Sequence, residues 1–383
     1  MAPVAERTLR GAMIGAGSIA QYHLTAWSHT EGVEIVAIFN RTLEKAQRLA
    51  TRFGIDPGRV YDDLTTLLDR ESGLDFVDIA TAPDLHRAHV EAAAAHGINI
   101  LCQKPLAASL AEARAMVEGC ERAGVLLSVN ENWRWRSWYR EVRRLLGDGT
   151  VGRPRYARIA THKNVTLGVP GEGAFGLLYR QSYTRTMPRL ILYEWGIHLV
   201  DTLRMLFGEP RWVHAAMSRL SPHVVGEDRA LLTYGFGKDG DIVVTIDISW
   251  STVAGQELPT VLEEVAIEGA RGTIALVPNR GDGDLVRITR FLPEDRMPVD
   301  RDRPWSPITT TSLPAHDGDI AAAYQASYDA AHGHFAECLR SGRLPETHAG
   351  DNLKTLRAVF AAYQSAEENR VIPIDEDGGD SDA

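Results

Sequence analysis

Several absences narrow the possibilities for this chain of 383 residues. It has only three cysteines, Cys102, Cys120 and Cys338, whose scattered spacing forms neither a disulfide framework nor a zinc motif. No apolar run is long enough to span a bilayer, and residues 1–10 lack the apolar stretch of a signal peptide. We therefore expect a cytoplasmic protein that does not associate with membranes.

An excess of positive charge is also absent. The formal net charge is −10 at pH 7, which argues against a protein that binds nucleic acid or anionic lipid through a broad basic surface. Part of this charge lies in residues 375–383, an acidic tail that we expect to be disordered. The overall composition is that of a globular protein, and the length predicts two domains.

The first of these domains is indicated by strands that alternate with helices over residues 1–128. Such alternation requires right-handed crossovers and predicts a doubly wound parallel sheet, a Rossmann domain. Over residues 129–374 the pattern changes to β-branched and period-two runs. These predict a C-terminal α/β domain with a large, mostly antiparallel open sheet. Its helices are expected around Tyr193–Phe207, Ala323–Arg340 and Asp351–Glu367.

A glycine-rich turn lies between the first predicted strand and helix. The sequence Gly15-Ala16-Gly17-Ser18-Ile19-Ala20 is a G-x-G-x-x-A pattern. It follows a predicted strand and opens a predicted helix, the context in which this pattern is typical of dinucleotide binding. The glycines let the backbone approach a pyrophosphate, and the helix N-terminus offers N–H groups and a positive dipole end. We predict that Gly15, Gly17, Ser18 and Ile19 bind a dinucleotide.

The residues at the end of the second predicted strand indicate which dinucleotide binds. A carboxylate there would accept both ribose hydroxyls and select NAD, but the residues are Asn40 and Arg41. Asn40 can bond a ribose hydroxyl, and Arg41 can form a fork with a 2′-phosphate. Alternatively, Arg41 is a solvated residue of the next helix. The prediction is an NAD(P) cofactor, with NADP favoured over NAD.

One candidate catalytic residue follows the strand at Asn99–Cys102. Gln103-Lys104-Pro105 stands at the carboxyl end of a predicted parallel strand, where such folds bind ligands. The Lys-Pro step fixes a turn and directs the ammonium of Lys104 into the cleft. The alternative is a solvated lysine before a helix.

A second candidate pair is Glu194 and His198. Four residues apart on a predicted helix, they share one face, where a carboxylate can orient an imidazole and tune it for proton transfer. The alternative is a surface pair or a core histidine. No metal is expected, because His332 and His334 have no partner ligands nearby in the sequence.

Aromatic and basic residues after the last Rossmann strand are candidates for sugar contact. Their rings and guanidinium forks suit a pyranose, although the same residues could pack a helix between the domains. The candidate substrate residues are Trp133, Arg134 and Trp135, together with His162, Tyr179 and Arg180 in or beside a long Gly-, Tyr- and Arg-rich segment.

Taken together, these motifs resemble the glucose–fructose oxidoreductase / inositol dehydrogenase / rhizopine-catabolism (Gfo/Idh/MocA) family from Leu9 to about Ile374. The resemblance includes the glycine turn, Ala80-Thr81-Ala82-Pro83 with His86, Gln103-Lys104-Pro105, Arg134-Trp135, His198 with Asp201, and Ala366–Val371. It implies contacts from Thr81, Pro83, His86, Gln103 and Lys104 to the cofactor. It also implies a sugar or polyol substrate, and a homodimer or homotetramer formed through the open sheet.

The resemblance further assigns the catalytic roles. His198 corresponds to the family's catalytic histidine and would take the hydroxyl proton with the help of Glu194. Lys104 would stabilise the developing alkoxide while a hydride passes to the nicotinamide. The family's usual glutamate before the lysine is Gln103 here, and its aspartate four residues before the histidine is Glu194. The implied function is an NAD(P)-dependent oxidoreductase of a secondary alcohol or ketone in a sugar, polyol or glycoside.

Two alternative functions remain at this stage. One is a cofactor-recycling sugar oxidoreductase or an enzyme that forms a 3-keto-glycoside. The other is a non-catalytic regulator that senses the dinucleotide, against which the presence of both Lys104 and His198 argues.

Overall fold

A computed structural model describes residues 7–167, 182–252, 263–277, 285–290, 309–315 and 320–374. The chain forms two compact units. One comprises Met1–Trp135 with Tyr324–Leu356, and the other comprises Arg136–Ala323 with Arg357–Ser381. The boundaries expected from the sequence, at 1–128, 129–374 and 375–383, stay predictions, and the acidic tail lies outside the described residues.

The first unit contains a six-stranded parallel sheet with the strand order β3-β2-β1-β4-β5-β6. This confirms the predicted Rossmann sheet. The strands are β1 Leu9–Ile14, β2 Val33–Phe39, β3 Val60–Tyr61, β4 Phe76–Ile79, β5 Asn99–Gln103 and β6 Leu127–Asn130. The helices between them are α1 Ala20–His29, α2 Leu43–Phe53, α3 Leu64–Arg70, α4 His86–Ala95 and α5 Leu110–Ala123.

The order of the strands determines where this sheet has a ligand-binding crevice. The chain moves outward from β1 to β3 and then resumes at β4 on the other side of β1. Crossovers therefore leave in opposite directions at β1 and β4, and their carboxyl ends border the crevice in which such sheets bind ligands. Every residue of β4 is buried, as expected for a strand covered on both faces.

A late segment of the chain completes the core of the first unit. Helix α8, Ile320–Ser341, brings Phe335 against Trp27 of α1 and Phe76 of β4. The ring centroids of Trp27 and Phe76 are 4.6 Å apart, and those of Phe76 and Phe335 are 5.8 Å apart. All three side chains are at most 2% exposed, so this cluster contributes a large share of the unit's apolar burial.

The second unit contains a nine-stranded sheet in the order β14-β13-β12-β11-β7-β10-β9-β8-β15. Only the pair β7–β10 is parallel, so the predicted, mostly antiparallel sheet is confirmed. The strands are β7 Pro154–His162, β8 Trp212–Ser218, β9 Arg229–Phe236, β10 Ile242–Ser249, β11 Glu264–Gly269, β12 Gly272–Val277, β13 Leu285–Arg290, β14 Thr309–Pro314 and β15 Ile372–Pro373. The helices are α6 Ser137–Gly147, α7 Ile197–Phe207 and the latter part of α9 Ala349–Glu368.

The two faces of this sheet have different environments. Burial alternates along β10, and one face of the sheet contacts α9, where the Tyr234 hydroxyl donates to the carbonyl of Ala358 at 3.0 Å. The main-chain N–H of Ala215 likewise donates to the Ser365 hydroxyl at 3.0 Å. On β9, the alternating positions include Leu231, which is 50% exposed.

The structure corrects one element that bears on function. The sequence predicts a single helix over Tyr193–Phe207, but the chain forms a π-helix over Ile191–Gly196 that continues into α7 at Ile197. Single π turns are rare and occur frequently at functional sites. The short strands β3 and β15 and the strand β14 were not predicted either. None of the described helices combines the length and apolarity needed to cross a membrane.

Candidate active site

The glycine turn after β1 has the shape that a dinucleotide requires. Gly15 has φ +109°, and a Cβ on it would lie 2.6 Å from the carbonyl oxygen of Ala80, so only glycine fits. A Cβ on Gly17 would meet no atom of the described residues within 4 Å, and both Gly17 and Ser18 are exposed at the start of α1. The turn therefore leaves an open cradle beside a helix N-terminus, which fits a pyrophosphate.

Asn40 holds this turn in place. Its Oδ1 accepts a hydrogen bond from the main-chain N–H of Ala16 at 3.0 Å, and its Nδ2 donates to the carbonyl of Thr42 at 2.9 Å. Arg41 follows it and is exposed. The structure thus shows Asn40 bracing the turn, while its predicted bond to a ribose stays a prediction.

His89 is a residue of this region that the sequence reasoning missed. Its Nδ1 lies 3.2 Å from the hydroxyl of Thr81, the residue two positions after β4. Burial, followed by the neighbouring His86 and Arg41, lowers the pKa of His89 to about 4, so its ring is neutral at physiological pH. Its only sequence signal is the spacing of three residues from His86.

The turn after β5 carries Lys104. The peptide bond between Lys104 and Pro105 is cis. The main-chain N–H of Lys104 donates to Oε1 of Gln103 at 2.7 Å. Lys104 is half-buried at the carboxyl edge of the sheet, and β5 is separated from β1 by β4 alone. The lysine and the open cradle thus belong to one edge of one sheet.

His86 connects the turn after β4 to the turn after β5. Its Nε2 lies 3.1 Å from the carbonyl oxygen of Thr81, and its Nδ1 lies 2.9 Å from that of Pro105. The ring is fully buried, and this burial lowers the pKa of His86. Pro83 begins the 3-10 turn that leads to it. His86 is thus placed as a brace, and the predicted cofactor contacts of Pro83, His86 and Gln103 stay predictions.

The aromatic segment after β6 packs within the first unit. Arg134 is 5% exposed, pairs with Asp351 at 2.7 Å and donates to the carbonyl of Glu346 at 3.2 Å. Trp133 is buried, and the ring of Trp135 lies 4.6 Å from that of His334. These contacts describe a packing role, and sugar contact by the three residues stays a prediction.

The π-helix of the second unit carries Glu194, and α7 carries His198. Both side chains are more than 90% buried. The hydroxyl of Tyr183 donates to Oε1 of Glu194 at 3.3 Å, and burial followed by the Glu194 charge raises the pKa of Tyr183. Regular α-helical spacing begins only at Ile197, so the shared-face argument for Glu194 and His198 lacks its geometric premise. Their catalytic roles stay predictions.

A partly buried carboxylate caps this π-helix. Glu227 accepts hydrogen bonds from the main-chain N–H groups of Leu190 and Leu192, the nearest contacts being 3.0 and 3.1 Å. The hydroxyl of Tyr363 donates to Glu227 at 2.6 Å and accepts from the N–H of Tyr193 at 3.2 Å. Burial raises the pKa of Glu227 despite these donors. The sequence analysis missed this cap, for which an acid in a loop is the only signal.

The remaining substrate candidates lie near the end of β7. His162 Nε2 is 3.1 Å from Oδ1 of Asp247. The ammonium of the next residue, Lys163, lies 5.3 Å from the ring centroid of Trp195, and burial lowers the pKa of Lys163. Tyr179 and Arg180 lie outside the described residues.

A buried ionic group lies in the same unit. Arg136 Nη1 is 3.1 Å from Glu263, and the hydroxyl of Tyr139 donates to that carboxylate at 2.8 Å. All three side chains are at most 1% exposed. Their mutual pairing satisfies charges that would otherwise be costly to bury.

Comparison with known proteins places these features in a family. A model of the oxidoreductase family with an NAD-binding Rossmann fold, GFO_IDH_MocA, matches residues 9–131. A model of the GFO/IDH/MocA C-terminal domain matches residues 139–275.

Relatives that align over nearly the whole chain support the same family. D-apiose dehydrogenase of Paraburkholderia graminis is 37% identical over 378 residues, which cover 96% of this chain and 90% of that protein. D-apiose dehydrogenase of Rhizobium rhizogenes is 34% identical, covering 96% and 97%. The crystal structure of an Agrobacterium radiobacter oxidoreductase in complex with NAD+, L-tartaric acid and magnesium has a TM-score of 0.82 at 32% identity, covering 96% of this chain and 98% of that one. This chain therefore belongs to the GFO/IDH/MocA oxidoreductase family.

Proposed function

We propose that this chain is an NAD(P)-dependent dehydrogenase that acts on a CH–OH group of a small sugar or polyol. The observation that carries the proposal is the arrangement at the carboxyl edge of the parallel sheet. There the open cradle at Gly17 and the turn with Lys104 follow two strands of the same sheet, β1 and β5. A bound nicotinamide would supply the hydride acceptor or donor.

The chain's own residues move the proton and stabilise charge. We propose that Lys104 donates a hydrogen bond to the substrate oxygen and stabilises it as negative charge develops. His198 takes the hydroxyl proton, and Glu194 orients or assists it. The burial of Glu194 and His198 strengthens their electrostatic interactions because little water screens them.

D-apiose is the first substrate to test. Two relatives that align over nearly the whole chain are D-apiose dehydrogenases, and an inositol 2-dehydrogenase of Acidothermus cellulolyticus is 26% identical over 370 residues. A panel of D-apiose, other aldoses and inositols should therefore be assayed with NAD+ and with NADP+, following the absorbance of the reduced nicotinamide. Reduced cofactor should accumulate with at least one sugar. Sugar turnover without net reduced cofactor would instead support cofactor recycling.

Variants at two positions test the proposed roles. Lys104→Ala should lower kcat by more than about 100-fold, because a donor aimed at the developing charge is lost. His198→Asn should lower it by about 100-fold or more, because the proton acceptor is lost. Cofactor binding, measured by quenching of tryptophan fluorescence, should persist in both variants. Lys238→Ala and His29→Asn change exposed residues and serve as controls. Wild-type turnover by Lys104→Ala would overturn the proposal.

The cofactor preference rests on Arg41. We propose that its exposed guanidinium binds the 2′-phosphate of NADP. Arg41→Ala should then raise the KM for NADP by about 10- to 100-fold and leave the KM for NAD unchanged. An equal change for both cofactors would contradict the preference.

A homodimer or homotetramer through the face of the nine-stranded sheet that bears Leu231 is also proposed. The half-exposed leucine on a long strand supports it. Leu231→Glu should lower the mass measured by light scattering if that face is the interface. The expected cytoplasmic location is a further proposal, which fractionation of the source cells would test.

A further inference from the structure

A buried polar cluster lies beside the turn after β5. His23 comes from α1, Asp78 from β4 and His332 from α8, and all three side chains are completely buried. Gln103 and Asn130, at the ends of β5 and β6, direct amide groups at His23. Buried polar groups of this kind are retained only when their hydrogen bonds are satisfied, so the direction of each bond can be assigned from its partners.

The first assignment starts at Lys104. Its main-chain N–H can only donate, so the atom of Gln103 that it contacts at 2.7 Å is the carbonyl Oε1. The NH2 group of Gln103 therefore faces the other way, where its Nε2 lies 3.2 Å from Nε2 of His23. Because an amide NH2 only donates, Nε2 of His23 must accept. The His23 ring then carries its proton on Nδ1.

The carboxylate of Asp78 lies on the Nδ1 side of the ring. His23 Nδ1 is 2.9 Å from both oxygens of Asp78, and the indole N–H of Trp27 donates to Oδ2 at 2.6 Å. Burial alone raises the pKa of Asp78, but its contacts with His23, and to a lesser extent with His332, outweigh burial and hold the pKa below its ordinary value. Asp78 is therefore an anion at neutral pH.

His332 has the same tautomer. Its Nδ1 lies 2.8 Å from the carbonyl oxygen of Tyr328, which can only accept, so Nδ1 carries a proton. Burial, partly opposed by Asp78, lowers the pKa of His332, whose Nε2 lies 3.2 Å from Nδ1 of His23 and 3.4 Å from Oδ2 of Asp78. The ligand atoms of His23, Asp78 and His332 lie within 4.8 Å of one another, a spacing that would also suit a metal. The proton on His23 Nδ1 occupies the lone pair that a metal would need.

We propose that Asp78 and His23 are positioning residues for Lys104. Asp78 fixes the tautomer of His23, His23 holds the amide of Gln103, and Gln103 holds the main-chain N–H of Lys104. Each hydrogen bond in this series is donated in the same direction, from Lys104 towards Asp78. The inference rests on the proposed function only in taking Lys104 as the group that acts on substrate.

Reversing the two hydrogen bonds of His23 is the decisive test. Gln103→Glu places a carboxylate against His23 Nε2, and Asp78→Asn removes the carboxylate at Nδ1. Gln103→Glu conflicts with the bond direction, and Asp78→Asn removes the charge that favours the Nδ1–H tautomer of His23. Each should lower kcat by about 10- to 100-fold, because a small displacement of a reacting group has effects of this size. The double variant Asp78→Asn/Gln103→Glu lets both hydrogen bonds of His23 reverse, with the His23 proton on Nε2, while the main-chain N–H of Lys104 still donates to the side chain at position 103. Its kcat should recover to within about threefold of the wild type.

A spectroscopic measurement makes the inference independent of turnover. In 15N-labelled wild-type protein, the imidazole nitrogen shifts should show the Nδ1–H tautomer for His23 and His332. In the double variant, His23 should show the Nε2–H tautomer. Asp69→Asn, the same change at an exposed position of α3, should alter neither the tautomers nor kcat.

The possible outcomes distinguish failure of this inference from failure of the proposed function. A wild-type His23 protonated on both nitrogens, or only on Nε2, would overturn the inference even if a single variant failed to fold. So would a double variant no more active than the weaker single variant. Wild-type turnover by Lys104→Ala would overturn the proposed function instead and leave the tautomer result intact.

Discussion

The two segments that carry the proposed catalytic residues are held by opposite kinds of group. The turn at Lys104 is held by neutral groups, an amide and an imidazole, and the charge of Asp78 lies two side chains away. The π-helix before His198 is held by the carboxylate of Glu227, which accepts directly from the backbone. A neutral contact is modest and replaceable, whereas removal of a buried cap leaves several donors unpaired. The second segment should therefore be the more sensitive to a single substitution.

Loss of the Glu227 cap should give the largest effect. Glu227→Ala leaves the N–H groups of Leu190 and Leu192 and the hydroxyl of Tyr363 without this acceptor. The free energy of unfolding should fall by about 3–5 kcal/mol, since each unsatisfied buried group costs about 1–3 kcal/mol. Urea unfolding followed by circular dichroism measures it. Glu264→Ala, at a residue whose side chain is 63% exposed, is the control. A change of less than about 0.5 kcal/mol in Glu227→Ala would remove the contrast between the segments.

Loss of the His86 brace should be the next largest effect. His86→Phe keeps a ring but removes the two nitrogens that contact the carbonyls of Thr81 and Pro105, one of which donates a hydrogen bond in the neutral imidazole. We expect a loss of about 2 kcal/mol in the free energy of unfolding, together with a lower kcat, because the turn that carries Lys104 loosens. His86→Asn retains a donor near the position of Nδ1 and should lose less. A larger loss in His86→Asn than in His86→Phe would show that ring packing, and not the hydrogen bond to a carbonyl, is what matters.

Removal of the Tyr363 hydroxyl probes the cap more gently. Tyr363→Phe deletes one donor to Glu227 and one acceptor for Tyr193, and it preserves the ring. The free energy of unfolding should fall by about 1–2 kcal/mol, less than in Glu227→Ala. Thermal or urea unfolding of both variants and their combination gives the coupling. Strict additivity would indicate that Tyr363 does not act through Glu227.

Acid should affect the turn after β4 through His89, whose ring contacts Thr81. Because the pKa of His89 falls from 6.5 to about 4 on folding, the unfolded chain binds its proton more readily. The stability associated with the neutral ring is complete above 6.5 and is lost as the pH falls through about 4. His89→Asn lacks this loss, so the difference in unfolding free energy between wild type and variant should shrink on acidification. A difference that stays constant over this range would contradict the assignment.

The local patterns of the sequence account for the architecture, for the glycine turn after β1 and for the turn that carries Lys104. Apolar strands alternating with helices specify the Rossmann sheet, and the spacing of Gly15 and Gly17 reflects steric demands that involve mostly nearby atoms. The position of Lys104 at a strand end follows from the same alternation. These features depend on short stretches of chain, which is why sequence reasoning reaches them.

Features that depend on distant pairs were not accessible. His332 joins a residue 309 positions away, His23, and the cap at Glu227 joins Tyr363, 136 positions later. No periodicity encodes such pairs. The π-helix over Ile191–Gly196 was also missed, because its apolar residues fit ordinary helical spacing. The carboxylate that accepts from its main-chain N–H groups, Glu227, comes from a later part of the chain.

The return of the chain to its first unit has a consequence for biosynthesis. Phe335 completes the aromatic cluster with Trp27 and Phe76, and it lies on a segment made only after most of the chain. A ribosome that has released residues 1–135 has therefore exposed Trp27 and Phe76 without their final partner. The first unit cannot finish folding during translation until residues 324–356 have emerged. It should therefore depend on chaperones for longer than an uninterrupted domain of equal size.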